Sequence, residues 1–188
     1  MTKSSTQKSN KKEEALPPSF HPFDPIIDKD SRILILGTFP SIKSFENAFY
    51  YGHPQNQFWK LLSTLFDEEE PKSIEAKIAF LKKYKIALWD MVKMCQREGS
   101  LDSNLKNIEV NDIEALLKRY PNIQAIFFTG RKAQELYKRY FSHLQLPTYY
   151  LPSPSPAFRA MSFEKKLQEW EKIKAVYDRA AQREKRAQ

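Results

Sequence analysis

The chain has one cysteine, Cys95, in 188 residues. A lone thiol excludes an internal disulfide and any Cys-rich zinc or iron–sulfur site. Its three histidines, His21, His53 and His143, are too scattered to suggest a metal cluster. No GxGxxG or Walker pattern is present, which removes support for dinucleotide or ATP binding. No stretch approaches eighteen apolar residues, so no membrane span is expected. The first twenty residues hold no apolar run, so no secretory signal is expected and a reducing cytoplasm is the expected location.

Positive charge and aromatic residues are present in quantity. The net charge is +8, the pI is about 9.4, and aromatics make up 13% of the residues. That combination suits base stacking beside phosphate contact, although most of the Phe residues are expected to fill the core. The length fits one domain flanked by tails. Residues 1–18 read as a disordered polar tail, 19–178 as the domain, and 179–188 as a charged extension.

Four short apolar runs, 33–36, 86–89, 125–129 and 148–151, read as strands. None alternates cleanly, as expected of parallel strands covered on both faces. Helical spacing is seen over 56–66, 74–84, 113–120 and 131–141. A last helix begins after Ser162, with Phe163, Leu167, Trp170, Ile173 and Tyr177 as its apolar stripe. The expected fold class is α/β: a three-layer sandwich with a short, mainly parallel four-stranded sheet between helices.

In such sheets ligands bind beyond the carboxyl ends of the strands, so those segments are the ones that carry chemistry. The first is Gly37-Thr38-Phe39-Pro40-Ser41, which also reads as an ordinary turn. After it, Tyr50-Tyr51-Gly52-His53-Pro54-Gln55-Asn56-Gln57-Phe58-Trp59 sets aromatics, a histidine and carboxamides within ten residues. That mixture suits a pocket that stacks a planar ring and grips its polar edge. Taken alone, Asn56 also reads as a helix cap, and Phe58 and Trp59 as core. Asp90 follows the second strand, placed either to accept from a base edge or to cap a turn. Gly130-Arg131-Lys132 opens a helix, as a phosphate site or a solvated helix start. Leu151-Pro152-Ser153-Pro154-Ser155-Pro156-Ala157-Phe158-Arg159 is held extended by three prolines. It reads as a phosphate-contacting loop or a stiff connector.

The first and last of these segments resemble the two motifs of the uracil-DNA glycosylase superfamily. The Tyr51-to-Trp59 segment is similar to the loop-to-helix segment of its mismatch-specific members. Together with Leu88-Trp89-Asp90 and Glu98-Gly99-Ser100-Leu101-Asp102-Ser103, the pattern resembles the DNA-deoxyinosine (hypoxanthine-DNA) glycosylase branch, over about residues 20–177. The resemblance implies hydrolysis of the bond between a deaminated base and deoxyribose, on double- or single-stranded DNA. It implies no metal and no organic cofactor, and a monomer is the simplest expectation.

Two departures from the family pattern bear on mechanism. Other branches carry Asp or Asn at or near the position of Phe39, and here Thr38 and Phe39 supply no such group. Phe158 stands where the branch commonly has Asn. The resemblance therefore points to Asn56 as the catalytic carboxamide, with Phe39, Tyr51, His53 and Asp90 as base-binding residues. Ser41, Arg131, Lys132, Ser153, Ser155 and Arg159 are expected to contact DNA, with Phe158 or Met161 filling the vacated base stack. Two rival readings stand beside this one: a mismatch-specific uracil or thymine glycosylase, and a non-catalytic nucleic-acid-binding module on the same fold.

Overall fold

A computed structural model describes residues 16–188, so most of the expected N-terminal tail lies outside the described residues. The four apolar runs form one wholly parallel sheet. Its strands are β2 (Ile33–Gly37), β3 (Ile86–Asp90), β6 (Ala125–Thr129) and β7 (Thr148–Leu151), in the order β3-β2-β6-β7. Every residue of β2 and β6 is buried, which is why neither sequence alternates: both faces of these strands need apolar side chains.

Alternate residues of the strands serve two separate cores. Ile33, Ile35, Leu88 and Phe127 point to one face. They pack there under α2 (Phe58–Leu65), α3 (Ile74–Lys83) and α6 (Phe163–Arg186), with Trp170 fully buried. Leu34, Leu36, Ile126 and Phe128 point to the other face, against α4 (Ile113–Arg119) and α5 (Arg131–Phe141). The three-layer expectation holds. Ser162 caps α6 by accepting from the Lys165 N–H at 3.3 Å. The helix runs on to Arg186, so the charged C-terminal segment is a helical extension.

The structure adds two features beyond the expected elements. A second, antiparallel sheet joins β1 (Ser19–Phe20), β4 (Val92–Gln96) and β5 (Lys106–Val110) in the order β1-β4-β5. A short helix, α1 (Ile42–Glu46), follows the first motif, capped by Ser41, whose hydroxyl accepts from the Ser44 N–H at 3.2 Å. The second sheet matters for function because β1 leads directly into His21.

In the main sheet β2 feeds β3 on one side, and the chain then crosses to β6 on the other. The loops after β2 and β6 thus diverge, which opens a crevice at the carboxyl end of the sheet. Register places Gly37, the last residue of β2, opposite Asp90, the last of β3.

Candidate active site

A cavity of about 310 Å³ fills that crevice. The first motif contributes Gly37 to Ser41, the aromatic loop contributes Tyr50, Tyr51 and Asn56, and the strand ends contribute Asp90 and Thr129. The segment between β4 and β5 adds Ser100 to Ser103, and the last loop adds Ser153, Pro154, Ser155, Ala157 and Phe158.

The aromatic walls are held rigidly. Tyr51 stacks face to face on Phe58, with centroids 3.9 Å apart and planes 1° apart. Its hydroxyl shares a hydrogen bond of 2.7 Å with Thr129 Oγ1. Burial, aided by the nearby Asp90 charge, pushes the Tyr51 phenol well above its ordinary value, so it stays a hydroxyl. Tyr51 adopts a left-handed backbone (φ 52°), a strained conformation for a bulky residue that the stacking and the hydroxyl contact hold in place. Phe39 lies against His21 and Phe45, and the Arg97 guanidinium sits 5.1 Å from its ring centroid. Arg97 also donates to the Pro40 carbonyl at 2.6 Å, which braces the first motif.

The two polar atoms of the Asn56 side chain are placed differently. Its Oδ1 accepts from the Phe58 N–H at 2.9 Å, which steadies the start of α2 although the cap position itself is Gln57. Among the described residues its amide nitrogen has no hydrogen-bond partner, and the side chain lines the cavity. The Gln57 N–H donates to the Pro154 carbonyl at 3.0 Å, tying this loop to the last one.

The structure brings Phe39, Ser41, Tyr51, Asn56, Asp90, Ser153, Ser155 and Phe158 to one cavity. His53, expected to contact the base, does not line the cavity. Its Nδ1 accepts from the Gln55 N–H at 3.0 Å within its own tight loop. Arg131, Lys132 and Arg159 also stand off the cavity wall. Arg131 is exposed above the Tyr150 ring at 5.2 Å, and Arg159 Nε donates to the Pro156 carbonyl at 3.3 Å. Ser153 Oγ accepts from the Ser155 N–H and Ser155 Oγ from the Ala157 N–H, each at 3.2 Å. These two local turns hold the proline-rich loop in shape.

Two residues were not among the expected site residues. His21 lies behind the cavity, its Nε2 2.6 Å from Asp90 Oδ2. A contact between residues 69 positions apart leaves no local signal. Asp102, in a short 3₁₀ turn, brings a second carboxyl to the cavity wall. Burial raises it above the ordinary carboxylate range; the Thr38 hydroxyl and the Arg97 guanidinium oppose that rise, and Asp90 adds to it. Its place in the Glu98-to-Ser103 segment that carries part of the family resemblance was the available signal. Among the described residues no cluster of His, Cys, Asp and Glu has the arrangement of a metal site, and no helix is long and apolar enough to cross a membrane.

Comparison with known proteins agrees with this geometry. A model of the uracil DNA glycosylase superfamily matches residues 25–178. A hypoxanthine DNA glycosylase of Methanosarcina acetivorans is 38% identical over 152 residues, which is 80% of this chain and 95% of the relative. A second, from Methanosarcina barkeri, is 34% identical over 146 residues, 77% of this chain and 81% of the relative. The solution NMR structure of a Methanosarcina acetivorans protein superposes with a TM-score of 0.73 at 37% identity, covering 86% of this chain and 98% of that one. The family match spans the sheet, both cores and every loop that lines the cavity, and the chain belongs to the uracil DNA glycosylase superfamily.

Proposed function

We infer that this protein is a monofunctional DNA glycosylase of base excision repair, which hydrolyses the N-glycosidic bond of a deaminated base and leaves an abasic site. Hypoxanthine is the favoured base. The observation that carries the reading is the cavity itself. It has a rigid tyrosine wall and a buried carboxylate, lies at the carboxyl end of the sheet, and occurs in a chain whose 34–38% identical relatives are hypoxanthine DNA glycosylases.

The target nucleotide rotates out of the duplex into the cavity, at a cost of a few kcal/mol that is smallest for a poorly paired base. Phe39 and Tyr51 flank the extruded ring. Asp90 accepts from a ring N–H. Phe158 closes the gap in the base stack, and Ser41, Ser153 and Ser155 approach the flanking phosphates. Arg131, Lys132 and Arg159 supply positive charge further out along the backbone.

Bond breaking at the sugar passes through an oxocarbenium-like state, with negative charge moving onto the departing base. Asn56 Oδ1 is committed to the helix, so its amide nitrogen is the group free to act, and it can only donate. Asn56 therefore stabilises charge on the leaving base or holds the oxygen of the attacking water. It does not take the water's proton. Asp102 supplies the anionic group that the first motif lacks, positioned to support positive charge on the sugar.

A panel of duplexes carrying hypoxanthine, uracil, xanthine or a thymine mismatch tests the reading, with alkaline cleavage at abasic sites as the measure. The expected result is strand cleavage at hypoxanthine above all others. DNA binding with no abasic product on any duplex would overturn it in favour of a binding module.

A further inference from the structure

Deamination changes adenine and cytosine in the same way. Adenine N1 and cytosine N3 are acceptors, and in hypoxanthine and uracil the same ring nitrogens carry hydrogen. A carboxylate fixed in the cavity therefore separates hypoxanthine from adenine, and uracil from cytosine, with one contact, provided it neither rotates nor gains a proton. A protonated carboxyl would donate, and adenine N1 would then be accepted.

Asp90 is held against rotation. Its Oδ2 meets His21 Nε2 at 2.6 Å, with side-chain exposures of only 4% for His21 and 6% for Asp90. The imidazole is itself locked. Phe23, Phe39 and Tyr50 surround it with ring centroids 5.8, 6.0 and 5.8 Å away. Its Nδ1 lies 2.8 Å from the Phe23 carbonyl. The Phe23 N–H also faces Nδ1 at 3.3 Å; in the tautomer whose Nδ1 accepts from it, Nε2 carries the hydrogen and donates to Asp90. The other carboxylate oxygen, Oδ1, lies over Gly37 at the cavity wall, where any Cβ at residue 37 would collide with it. Among the described residues Oδ1 has no hydrogen-bond partner.

We propose that His21 is the positioning residue for base selection: it fixes Asp90 as an inward-facing acceptor, so the cavity takes bases with a ring N–H and rejects adenine and cytosine. This rests on the glycosylase reading above and adds what sets its selectivity. It also gives the second sheet a task, since β1 pairs with β4 immediately before His21 and delivers the imidazole to the site.

The test measures single-turnover cleavage of duplexes carrying hypoxanthine, N1-methylhypoxanthine or adenine. The proteins are wild type, His21→Gln, His21→Leu, Asp90→Asn and the His21→Leu/Asp90→Asn double variant. Wild type is expected to cut hypoxanthine at least about a hundredfold faster than the N1-methyl base, because the methyl group removes the donor that the site is built to bind. His21→Leu is expected to lose about tenfold or more on hypoxanthine and to narrow the hypoxanthine-to-adenine ratio. His21→Gln, which keeps an N–H at the same reach, is expected to restore most of both. In the Asp90→Asn background the leucine substitution should add little, because the two residues act as one unit.

Equal cleavage of hypoxanthine and its N1-methyl form by wild type would overturn the proposal and leave the glycosylase reading standing. So would His21→Leu retaining both rate and selectivity, or its full effect persisting in the Asp90→Asn background. Wild type that cuts none of the duplexes would instead overturn the glycosylase reading itself.

Discussion

Asn56 supports two functions that one substitution separates. Aspartate keeps the oxygen that accepts the Phe58 N–H, and its charge favours the start of a helix, but it lacks the amide donors. Alanine removes both. Asn56→Asp should thus melt like wild type, whereas Asn56→Ala should lose about 1 kcal/mol of stability with the cap. Both should bind a hypoxanthine duplex and cleave about 10²- to 10³-fold more slowly, the usual cost of losing one preorganised donor. Unchanged single-turnover cleavage by folded Asn56→Asp would remove the amide from the chemistry.

Asp102 makes a different prediction at the same scale. Burial raises its folded pKa above the unfolded value. Between the two values the folded state binds more protons, so stability falls as pH rises through that window, and above it the charged carboxylate costs the fold energy. Asp102→Asn should therefore melt at a higher temperature than wild type at neutral pH, with the gap closing below the ordinary carboxylate range. Wild-type cleavage should fall as the pH drops through the raised value, because the anion that supports the sugar cation is lost. The variant should be slow throughout and lack that limb. A wild-type rate with no acid limb would show that the Asp102 charge plays no part.

Among the elements, those in the main sheet were legible and those outside it were not. Apolar runs such as Ile33-Leu34-Ile35-Leu36 announce a strand buried on both faces, and the structure needs them for that reason. The second sheet carries no such signal. Its register shifts between Val92 and Met94 and again between Met94 and Gln96, so inward and outward positions lose their alternation. The five residues of α1 are too few to show a helical period. In the site, the motif residues were legible because loop chemistry is written locally. The partners that hold them, His21 behind Asp90 and Lys166 behind Phe158, come from distant segments. Lys166, one turn into α6, is 2% exposed and donates to Gln57 Oε1 at 3.0 Å and to the Phe158 carbonyl at 3.1 Å. Its ammonium also sits over the Phe158 ring at 5.2 Å, and burial lowers its pKa. The helix thus clamps the two loops that flank the cavity. Lys166→Met keeps the apolar stem and releases both. Cleavage should slow about ten- to a hundredfold, the scale on which small misplacements near a site act, while Asn56 Oδ1 still accepts the Phe58 N–H. A rate equal to wild type would show that the clamp serves packing alone.

For the whole molecule, net charge and shape together set how DNA is approached. The excess of +8 draws a polyanion from any direction, but the cavity accepts a base only when the carboxyl end of the sheet faces the duplex. Arg131 and Lys132 at the start of α5 and Arg159 in the last loop belong to that end, and none of the three is spent on a carboxylate by a salt bridge among the described residues. If each meets one phosphate, binding should weaken with salt at a logarithmic slope of about −2.7 from these three alone. Replacing Arg131 or Arg159 by Gln should make the slope shallower by about 0.9 each, whatever base the duplex carries. Phe158→Ala should behave oppositely. It removes an uncharged contact with the base stack, so affinity should drop at every salt concentration with the slope unchanged. Binding isotherms of these variants in the cleavage-deficient Asn56→Asp background, taken over a salt series, separate the two effects. A slope that stays the same in Arg131→Gln and Arg159→Gln would place the phosphate path elsewhere on the basic surface. A slope that changes in Phe158→Ala would mean that its loop carries a charge contact as well as the wedge.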